Sequence, residues 1–206
     1  MTANEILRYL AGEIHTTVAA TVDEDGLPVT AAIDMMDADE KGLWFLTARG
    51  KSLYDRLTRQ KFLALTGIRG EDTMHSVAVS VRGRVEEIGP SALGRLFAKN
   101  PYMAEIYPTE QSRGALTVFC LCEGSGEWFD LSKQPIERIA FTFGGAKEKP
   151  EGYVVTDDCI GCGSCADVCP QRCIKLTAGR AAIDESHCLH CGGCASVCPA
   201  GAVVRR

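Results

Sequence analysis

The 206-residue chain lacks the features that would place it in a membrane, on nucleic acid or outside the cell. No apolar run approaches the length of a bilayer-spanning helix. The opening segment MTANEILRYL has no basic stretch followed by an apolar one, so we expect no signal peptide. Positive charge is also scarce, because 22 Lys and Arg face 27 Asp and Glu, and nucleic acid is therefore not an expected partner. We expect a cytoplasmic protein.

Two kinds of catalytic signature are missing as well. Nothing in the sequence is typical of a hydrolytic triad or of a paired-carboxylate site. The segment GSGEW, residues 124–128, lacks the strand, glycine turn and helix of a dinucleotide-binding unit. We therefore expect no dedicated NAD domain, and the sequence names no proton donor.

Cysteine, in contrast, is abundant and clustered. Eight of the eleven cysteines lie in CIGCGSCADVCP and CLHCGGCASVCP, which begin at Cys159 and Cys188. Structural disulfides are rare in reducing cytosol, where clustered cysteines more often bind metal or do redox chemistry. A disulfide framework and tetrahedral zinc are the alternatives, although zinc usually takes two well-separated cysteine pairs. The spacing is that of the ligand run of bacterial two-cluster ferredoxins.

In such a run the fourth cysteine, which precedes proline, binds the cluster of the other run. We therefore expect two [4Fe-4S] clusters, one held by Cys159, Cys162, Cys165 and Cys198, the other by Cys188, Cys191, Cys194 and Cys169. Cys173 is left over, and we expect it to be a packed free thiol. Because the cysteine set is complete, His187 and His190 are expected to be solvated loop residues rather than ligands.

The segments around the two runs predict short strands. YVVTDD precedes the first run, CIKLTAGRAAID joins the runs with TAGR as a turn, and GAVVRR follows the second run. From about Tyr153 to Val204 the chain resembles the bacterial 2[4Fe-4S] ferredoxins. The resemblance implies electron transfer, one electron per cluster, at low potential.

The first 145 residues have a different pattern, in which β-branched segments alternate with helical ones. Five or six strands and two helices predict a mainly β fold with some α, a closed antiparallel barrel. The strands are HTTVAATV, LPVTAAIDM, GLWFLTA, FLALTGI, SVAVSVRGRVEEI and the long ALTVFCLCEGSGEWFDL, and the helices are KSLYDRLTRQ and SALGRLFAKN. An Asp-Gly pair in DEDG predicts a hairpin turn between the first two strands.

LWFLTARGKSLYDRL, residues 43–57, is the most informative part of this half. A strand leads into Thr47, a short loop carries Arg49 and Lys51, and Ser52 with Asp55 forms an S-x-x-D capping signature. A hydroxyl, two cations and a helix N-terminus together attract phosphate. The alternative is an ordinary capped helix with solvated Lys and Arg.

Residues 1 to about 145 resemble the pyridoxamine 5'-phosphate oxidase-like, FMN-binding split-barrel family. The resemblance rests on NEILRYL, ATVDEDGLPVTAAID, FLTARGKSLYDRL, VSVRGRVEE, FAKNPYMAEIYP and GEWFDL, which occur in that order. It implies that Thr47, Arg49, Lys51 and Ser52 contribute to the FMN phosphate and ribityl site. It also implies that residues 30–33, among them Thr30, Ala31 and Ile33, line the flavin ring, and that the chain forms a homodimer with flavin near the subunit interface.

One departure from the family pattern bears on the cofactor. Ala31 and Ala32 stand where many relatives have Arg-Pro or a similar polar pair, so one flavin contact is missing or supplied otherwise. The family also includes proteins that bind haem or F420, and these cofactors remain alternatives. His15 and His75 would then be the candidate haem ligands. Trp128 and Tyr54 either stack on the flavin or pack in the core.

The two halves together predict a function. We expect an antiparallel split barrel at residues 1–145, joined through GGAKEKPEG to a small α+β two-cluster ferredoxin domain at residues 146–206. Clusters pass single electrons, whereas a flavin accepts one or two. We expect an FMN-dependent reductase of an anaerobe that takes electrons from a ferredoxin-type carrier or other redox protein and reduces a small molecule. The alternative is a non-enzymatic electron-transfer subunit that links such a carrier to a partner oxidoreductase.

Overall fold

The structure is a computed structural model that describes residues 1–206. One antiparallel sheet of eight strands occupies the first two thirds of the chain. The strands are β1 (Thr16–Val22), β2 (Pro28–Asp34), β3 (Asp37–Asp39), β4 (Gly42–Ala48), β5 (Phe62–Gly70), β6 (Ser76–Gly89), β7 (Leu116–Asp130) and β8 (Glu137–Phe143). Their order in the sheet is β2-β1-β5-β6-β7-β4-β3, and β8 pairs with the second half of β7, on the edge opposite β6.

The barrel formed by this sheet is split. Its end strands β2 and β3 do not pair with each other. The chain just after β2 is tied to β4 through the Met36 N–H, which donates to the Trp44 carbonyl oxygen at 2.8 Å. The expectation of a closed barrel with five or six strands was therefore wrong, because the barrel is open between β2 and β3 and the sheet has eight strands. The split barrel implied by the family resemblance is confirmed.

Two long strands, β6 and β7, bend and so allow the sheet to curve into a barrel. β6 has 14 residues and β7 has 15, and their register shifts between Arg84 and Val85 and again near Gly89. Gly83 pairs with Gly124 just before the first shift, and a Cβ on Gly83 would lie 2.0 Å from the Glu123 carbonyl oxygen. Such bulges bend a strand and increase its twist, so β7 pairs with β4 through its first half and with β8 through its second.

Helices cover one end and one side of the barrel. The α-helices are α1 (Ala3–Tyr9), α2 (Ser52–Gln60), α3 (Leu93–Lys99), α4 (Met103–Ile106) and α5 (Glu110–Arg113). A π-helix spans Leu10–Ile14, and 3-10 turns span Thr73–His75 and Pro90–Ala92. Thr2 and Glu5 form a capping box at the start of α1.

The barrel interior forms the main hydrophobic core. Ile6, Leu7 and Leu10 of the N-terminal helical segment are fully buried against it, as are Phe45 of β4 and Leu63 of β5. Burying side chains of this size stabilises a fold by about 1.5–3 kcal/mol each. A smaller core lies between α3, α4 and the outer side of β4 and β7. The N-terminal helix is thus part of the barrel rather than an appendage.

A buried carboxylate fixes α3 to β3. Asp37 is 5% exposed and binds Arg95, whose Nε donates at 2.7 Å, and Lys99, whose Nζ donates at 2.5 Å. Arg95 also pairs with Asp39 at 2.8 Å and stacks on the Trp44 ring. Because the charges are paired and hydrogen-bonded, the desolvation cost of burying Asp37 is offset.

The cysteine-rich segment folds as a small α+β unit. Its elements are β9 (Tyr153–Val155), α6 (Ser164–Asp167), β10 (Ile174–Thr177), β11 (Arg180–Ile183), a 3-10 turn (Glu185–His187), α7 (Gly193–Ser196) and β12 (Val203–Arg205). β9 pairs with β12 and β10 with β11, both antiparallel. The short strands expected around the two cysteine runs are therefore confirmed. No helix anywhere in the chain combines the length and the apolar character needed to cross a membrane.

Candidate functional site

The first cysteine run forms one wall of a cavity. Cys159 and Cys162 lie in the loop after β9, and Cys165 lies on α6. Cys198, which follows α7 in the second run, completes the lining of the same cavity. The cavity is otherwise apolar, with Ile160 and Leu176 among its lining residues.

The second cysteine run forms a matching cavity on the other side of the pseudo-twofold. Cys188 and Cys191 lie in the loop after β11, and Cys194 lies on α7. The fourth cysteine of this cavity, Cys169, belongs to the first run. Each run therefore places three cysteines in one cavity and its fourth, before proline, in the other.

Backbone geometry explains how these loops curl so tightly. Gly161, Gly163 and Gly192 have φ angles of +69°, +84° and +79°, which side chains with a Cβ rarely adopt. Gly163 and Gly192 sit directly before α6 and α7, so both runs turn in the same way. The repeated turn brings the second and third cysteines of each run to the same face of their loop.

The thiols of the two cavities differ in burial. Burial raises the pKa of the Cys165 and Cys194 thiols, whereas the hydroxyl of Ser164, whose Oγ lies 3.5 Å from Cys162 Sγ, lowers the pKa of that exposed thiol. In neither cavity do three His, Cys, Asp or Glu side chains converge enough to share one metal ion.

Cys173 is a fifth thiol at the second cavity. It is 5% exposed, and its Sγ lies 3.4 Å from that of Cys169. Burial raises the pKa of Cys173 to about 12, so it remains a protonated thiol near neutral pH. All eleven cysteines are free of disulfides. The packed free thiol expected at this position is therefore what the structure shows.

The loops of the second cavity contact the barrel. His187 Nδ1 lies 2.9 Å from the Ile136 carbonyl oxygen, and Arg138 donates to His190 Nε2 at 2.7 Å. The Ile136 N–H donates to Gln171 Oε1 at 2.9 Å. The expectation that both histidines are solvated loop residues was wrong, because each is half-buried against β8 or the segment before it.

The residues predicted to bind phosphate gather where β4 leads into α2. Thr47 is buried near the end of β4, while Lys51 and Ser52 are exposed at the start of the helix. Arg49 is exposed as well, and its Nη1 donates to the Gly114 carbonyl oxygen at 3.0 Å. The loop therefore collects a hydroxyl and two cations beside a helix N-terminus, as the sequence indicated.

The capping of this helix differs from the sequence prediction. Lys51, not Ser52, is the N-cap residue, and no side chain caps the helix. The proposed pairing of Ser52 with Asp55 was wrong because Ser52 is already the first helical residue. As a result, the N–H groups of the first turn have no side-chain acceptor, and a helix end in this state favours an anion.

The residues predicted to line a flavin ring are divided between two faces of β2. Ala31 and Ile33 point toward the barrel core, whereas Thr30 and Ala32 are exposed on the outer face. Successive side chains of a strand point to opposite faces, so the four cannot all contact one ring. A planar ligand on either face would meet only two of them.

A polar cluster at the end of β2 was not anticipated. The Tyr102 hydroxyl donates to Asp34 Oδ2 at 2.8 Å and lies 2.9 Å from His15 Nε2, while His15 Nδ1 lies 3.2 Å from the Ala11 carbonyl oxygen. Burial and the Asp34 carboxylate raise the pKa of Tyr102. The one hint in the sequence was His15, a lone histidine at the start of a strand.

The other residues that were candidates for binding haem or stacking on a flavin also have partners in the structure. Both ring nitrogens of His15 have partners, and His75 is bound to Asp72 on the exposed surface. Trp128 is 5% exposed in the barrel core, packed edge-on against Tyr9. Tyr54 packs edge-on against Phe119. These positions favour core packing for the two aromatic residues.

The fold and the two cavities define a class of protein, a split barrel joined to a two-cavity, cysteine-rich domain of ferredoxin type. Residues 3–121, more than half of the chain, match the family model described as Pyridoxamine 5'-phosphate oxidase. The chain belongs to this family. Residues 158–202 match the model described as 4Fe-4S dicluster domain. A barrel of this family is thus fused to a 4Fe-4S ferredoxin domain, an arrangement suited to redox electron transfer.

A curated relative extends the match. The pyridoxine/pyridoxamine 5'-phosphate oxidase of Mannheimia succiniciproducens is 32% identical over 111 residues, which are 53% of this chain and 51% of the relative. The chain therefore spans about half the length of the curated relative it matches. The cysteine-rich domain lies outside the shared barrel region defined by the family model.

Solved structures agree on the fold. A NimC/NimA family protein from Clostridium acetobutylicum superposes with a TM-score of 0.55 at 13% identity, over 68% of this chain and 95% of that one. A haem binding protein from Mycobacterium smegmatis gives 0.54 at 15% identity, over 69% of this chain and 58% of its own. At these identities the likeness shows the split-barrel fold alone.

Gly161 offers a test of the first cavity's loop. A Cβ at Gly161 would lie 2.2 Å from the Gly179 carbonyl oxygen, whereas one at Gly179 would meet nothing within 4 Å, although both residues have positive φ. We expect Gly161→Ala to add a steric clash to the backbone strain of about 1–2 kcal/mol that Gly179→Ala also carries. Iron per chain after anaerobic purification should fall by at least half in Gly161→Ala only. Equal iron in both variants would contradict this account of the loop.

Proposed function

We propose that residues 1–145 bind FMN and that residues 146–206 hold two [4Fe-4S] clusters, so that the chain is an iron–sulfur flavoprotein oxidoreductase. In this proposal one cluster is bound by Cys159, Cys162, Cys165 and Cys198, and the other by Cys188, Cys191, Cys194 and Cys169. A ferredoxin-type carrier or another redox protein exchanges electrons with the clusters. A small molecule is the substrate of the flavin.

The observation that carries the proposal is the crossed arrangement of the cysteines. Four cysteines line each cavity, and Cys198 and Cys169 each lie with the three cysteines of the other run. In two-cluster ferredoxins the fourth cysteine of a run serves the other cluster.

The support for FMN comes from the start of α2. The helix has nine residues and an N-terminus that no side chain caps, with Lys51 and Ser52 exposed beside it. The helix dipole and free N–H groups favour a phosphate there, and Lys51 adds a positive charge. Thr47 and Arg49 lie on the same connection, so a phosphate could be contacted from the strand side as well.

The chemistry divides between the two parts of the chain. When bound, the clusters would carry one electron each and the flavin would accept one or two electrons and pass on a hydride equivalent. The cysteine loops would hold the clusters, and the barrel provides an apolar interior and a phosphate anchor. The Asp34–Tyr102–His15 cluster is positioned to hold a proton at the end of β2.

The outer face of the sheet supports a homodimer. Val18, which is 56% exposed, pairs across the sheet with Ala32 and Thr66, and Phe62 and Ile68 extend the same face along β5. Monomeric proteins rarely expose contiguous apolar surface of this kind. A second copy of the chain is the occupant we propose for it.

Cofactor content is the first measurement to make. Protein purified anaerobically should contain about eight irons, about eight sulfides and one flavin per chain, with both cluster and flavin absorption in the visible spectrum. Four or fewer irons would refute the two-cluster proposal. A Soret band without flavin would refute FMN. Flavin that is reoxidised by redox proteins but by no small molecule would favour the electron-transfer subunit.

Lys51 tests the phosphate site. Removing one charge-assisted hydrogen bond costs about 1.5–3 kcal/mol, so Lys51→Ala should weaken FMN binding by about 10- to 100-fold. Titration of the flavin-free protein followed by flavin fluorescence gives the dissociation constant. Lys147→Ala, which removes the same charge from the exposed connection between the two parts, is the control and should bind FMN normally. Equal affinities in the two variants would place the phosphate elsewhere.

Val18 tests the dimer. Light scattering should give the mass of two chains for the unmodified protein and of one chain for Val18→Asp, because the charge would be buried in the apolar contact. Ile106→Asp changes another exposed apolar residue, 59% exposed on α4, and should leave the mass unchanged. A monomeric unmodified protein, or a dimeric Val18→Asp, would contradict the proposal.

A further inference from the structure

The two cysteine groups are related by a pseudo-twofold axis, but the residues around the two groups do not follow this symmetry. The connections of the second group, Cys169, Cys188, Cys191 and Cys194, are hydrogen-bonded to the barrel through three residues. Gln171 follows Cys169, His187 precedes Cys188, and His190 lies between Cys188 and Cys191, and all three bind the stretch 136–138. Two connections of one ligand set, Cys169 to Cys188 and Cys188 to Cys191, therefore contact residues 136–138 at the start of β8.

The first group makes no such contact. No hydrogen bond or ion pair joins residues 157–165 or 198–202 to residues 1–145. Ile160, between Cys159 and Cys162, is 68% exposed, whereas its counterpart Leu189 is half-buried. Leu176 at the same cavity is 48% exposed. The first cavity thus faces away from the barrel into solvent.

The contact at β8 is built around a partly buried ion pair. Arg138 is 14% exposed and binds Glu127 through two hydrogen bonds, from Nε at 2.6 Å and from Nη2 at 2.9 Å. Its remaining Nη1 donates to His190 Nε2. Because Arg can only donate, His190 accepts with an unprotonated Nε2.

The connection between the two parts reinforces the contact. Gly152, with φ of +125°, passes so close to His190 that a Cβ would lie 2.6 Å from Nε2. Glu151 lies 3.7 Å from Arg82 of β6. The chain therefore enters the cysteine-rich domain directly over the loop that holds His190. The connection and the His190 loop are therefore packed against each other.

We propose that the cysteine group of the second cavity is the barrel-facing redox site, which exchanges electrons with the barrel, and that the first cavity is the outward-facing site for an external one-electron donor. Gln171, His187 and His190 are positioning residues that dock the second site on β8. The inference rests on the proposed function. With both groups bound, each transfer across the contact would oxidise the cluster and reduce the flavin by one electron. Two such transfers, with two protons from water, would reduce one flavin, and the external donor would supply both electrons.

Hydrogen exchange tests the docking without any need for flavin. In the full chain carrying its clusters, amides of residues 134–139 and 185–191 should exchange at least tenfold faster in Arg138→Gln and in His190→Asn, which keeps a residue tolerant of positive φ. Arg180→Gln is the matched control, because Arg180 binds Asp157 and the Val155 carbonyl oxygen on the other side of the domain. Unchanged exchange in both test variants would overturn the docking. Cluster absorption must stay unchanged throughout.

A magnetic measurement tests the electron path. A nearby reduced cluster speeds the relaxation of a flavin radical and raises the microwave power needed to saturate its signal. That power should fall at least tenfold in Cys191→Ala and in Arg138→Gln, and stay near the unmodified value in Cys162→Ala and Arg180→Gln. The opposite order for the two cysteine variants would overturn the proposal. Protein without flavin would refute the proposed function, while hydrogen exchange would still decide the docking.

Discussion

The exchange of cysteines between the two runs is the constraint on which the rest of the structure depends. Cys169 and Cys198 each leave their own run and line the cavity of the other, so neither cavity is complete without both halves of the domain. A segment this small buries few side chains of its own, and metal binding commonly supplies the missing folding energy. The same exchange of cysteines relates the two halves of the domain by a pseudo-twofold axis. Because this axis places the two cavities on different sides of the domain, one cavity faces the barrel and the other faces solvent.

A few polar contacts join the barrel to the cysteine-rich domain. Arg138 joins Glu127 on β7 to His190 in the cysteine loop, and the Ile136 backbone binds both Gln171 and His187. These contacts are directional and desolvated, so they set an orientation more than they add stability. The apolar outer face of β1 and β5 remains free on another side of the barrel. Docking, dimerisation and the phosphate site at α2 therefore occupy different surfaces.

Local patterns predicted the local structure well and the contacts between elements poorly. The cysteine spacing and the glycines around it indicated both cavities, since three of the four cysteines lie within seven residues. The strand patterns failed for β3, which has only three residues, and for β8, whose Ile139, Phe141 and Phe143 alternate but follow a stretch of turn residues. The cap at Ser52 failed because the helix starts one residue earlier than the S-x-x-D signature implies. The histidine contacts could not be foreseen, because Arg138 and His190 are 52 residues apart and meet only through tertiary packing.

The most direct test of the central claim compares single cysteine variants by the cluster that each one loses. Mössbauer and EPR spectra of anaerobic Cys198→Ala should match those of Cys162→Ala, because both residues line the first cavity although they belong to different runs. Cys169→Ala should likewise match Cys191→Ala. Spectra in which Cys198→Ala instead matches Cys191→Ala, its neighbour in sequence, would show that each run holds its own cluster and would contradict the account.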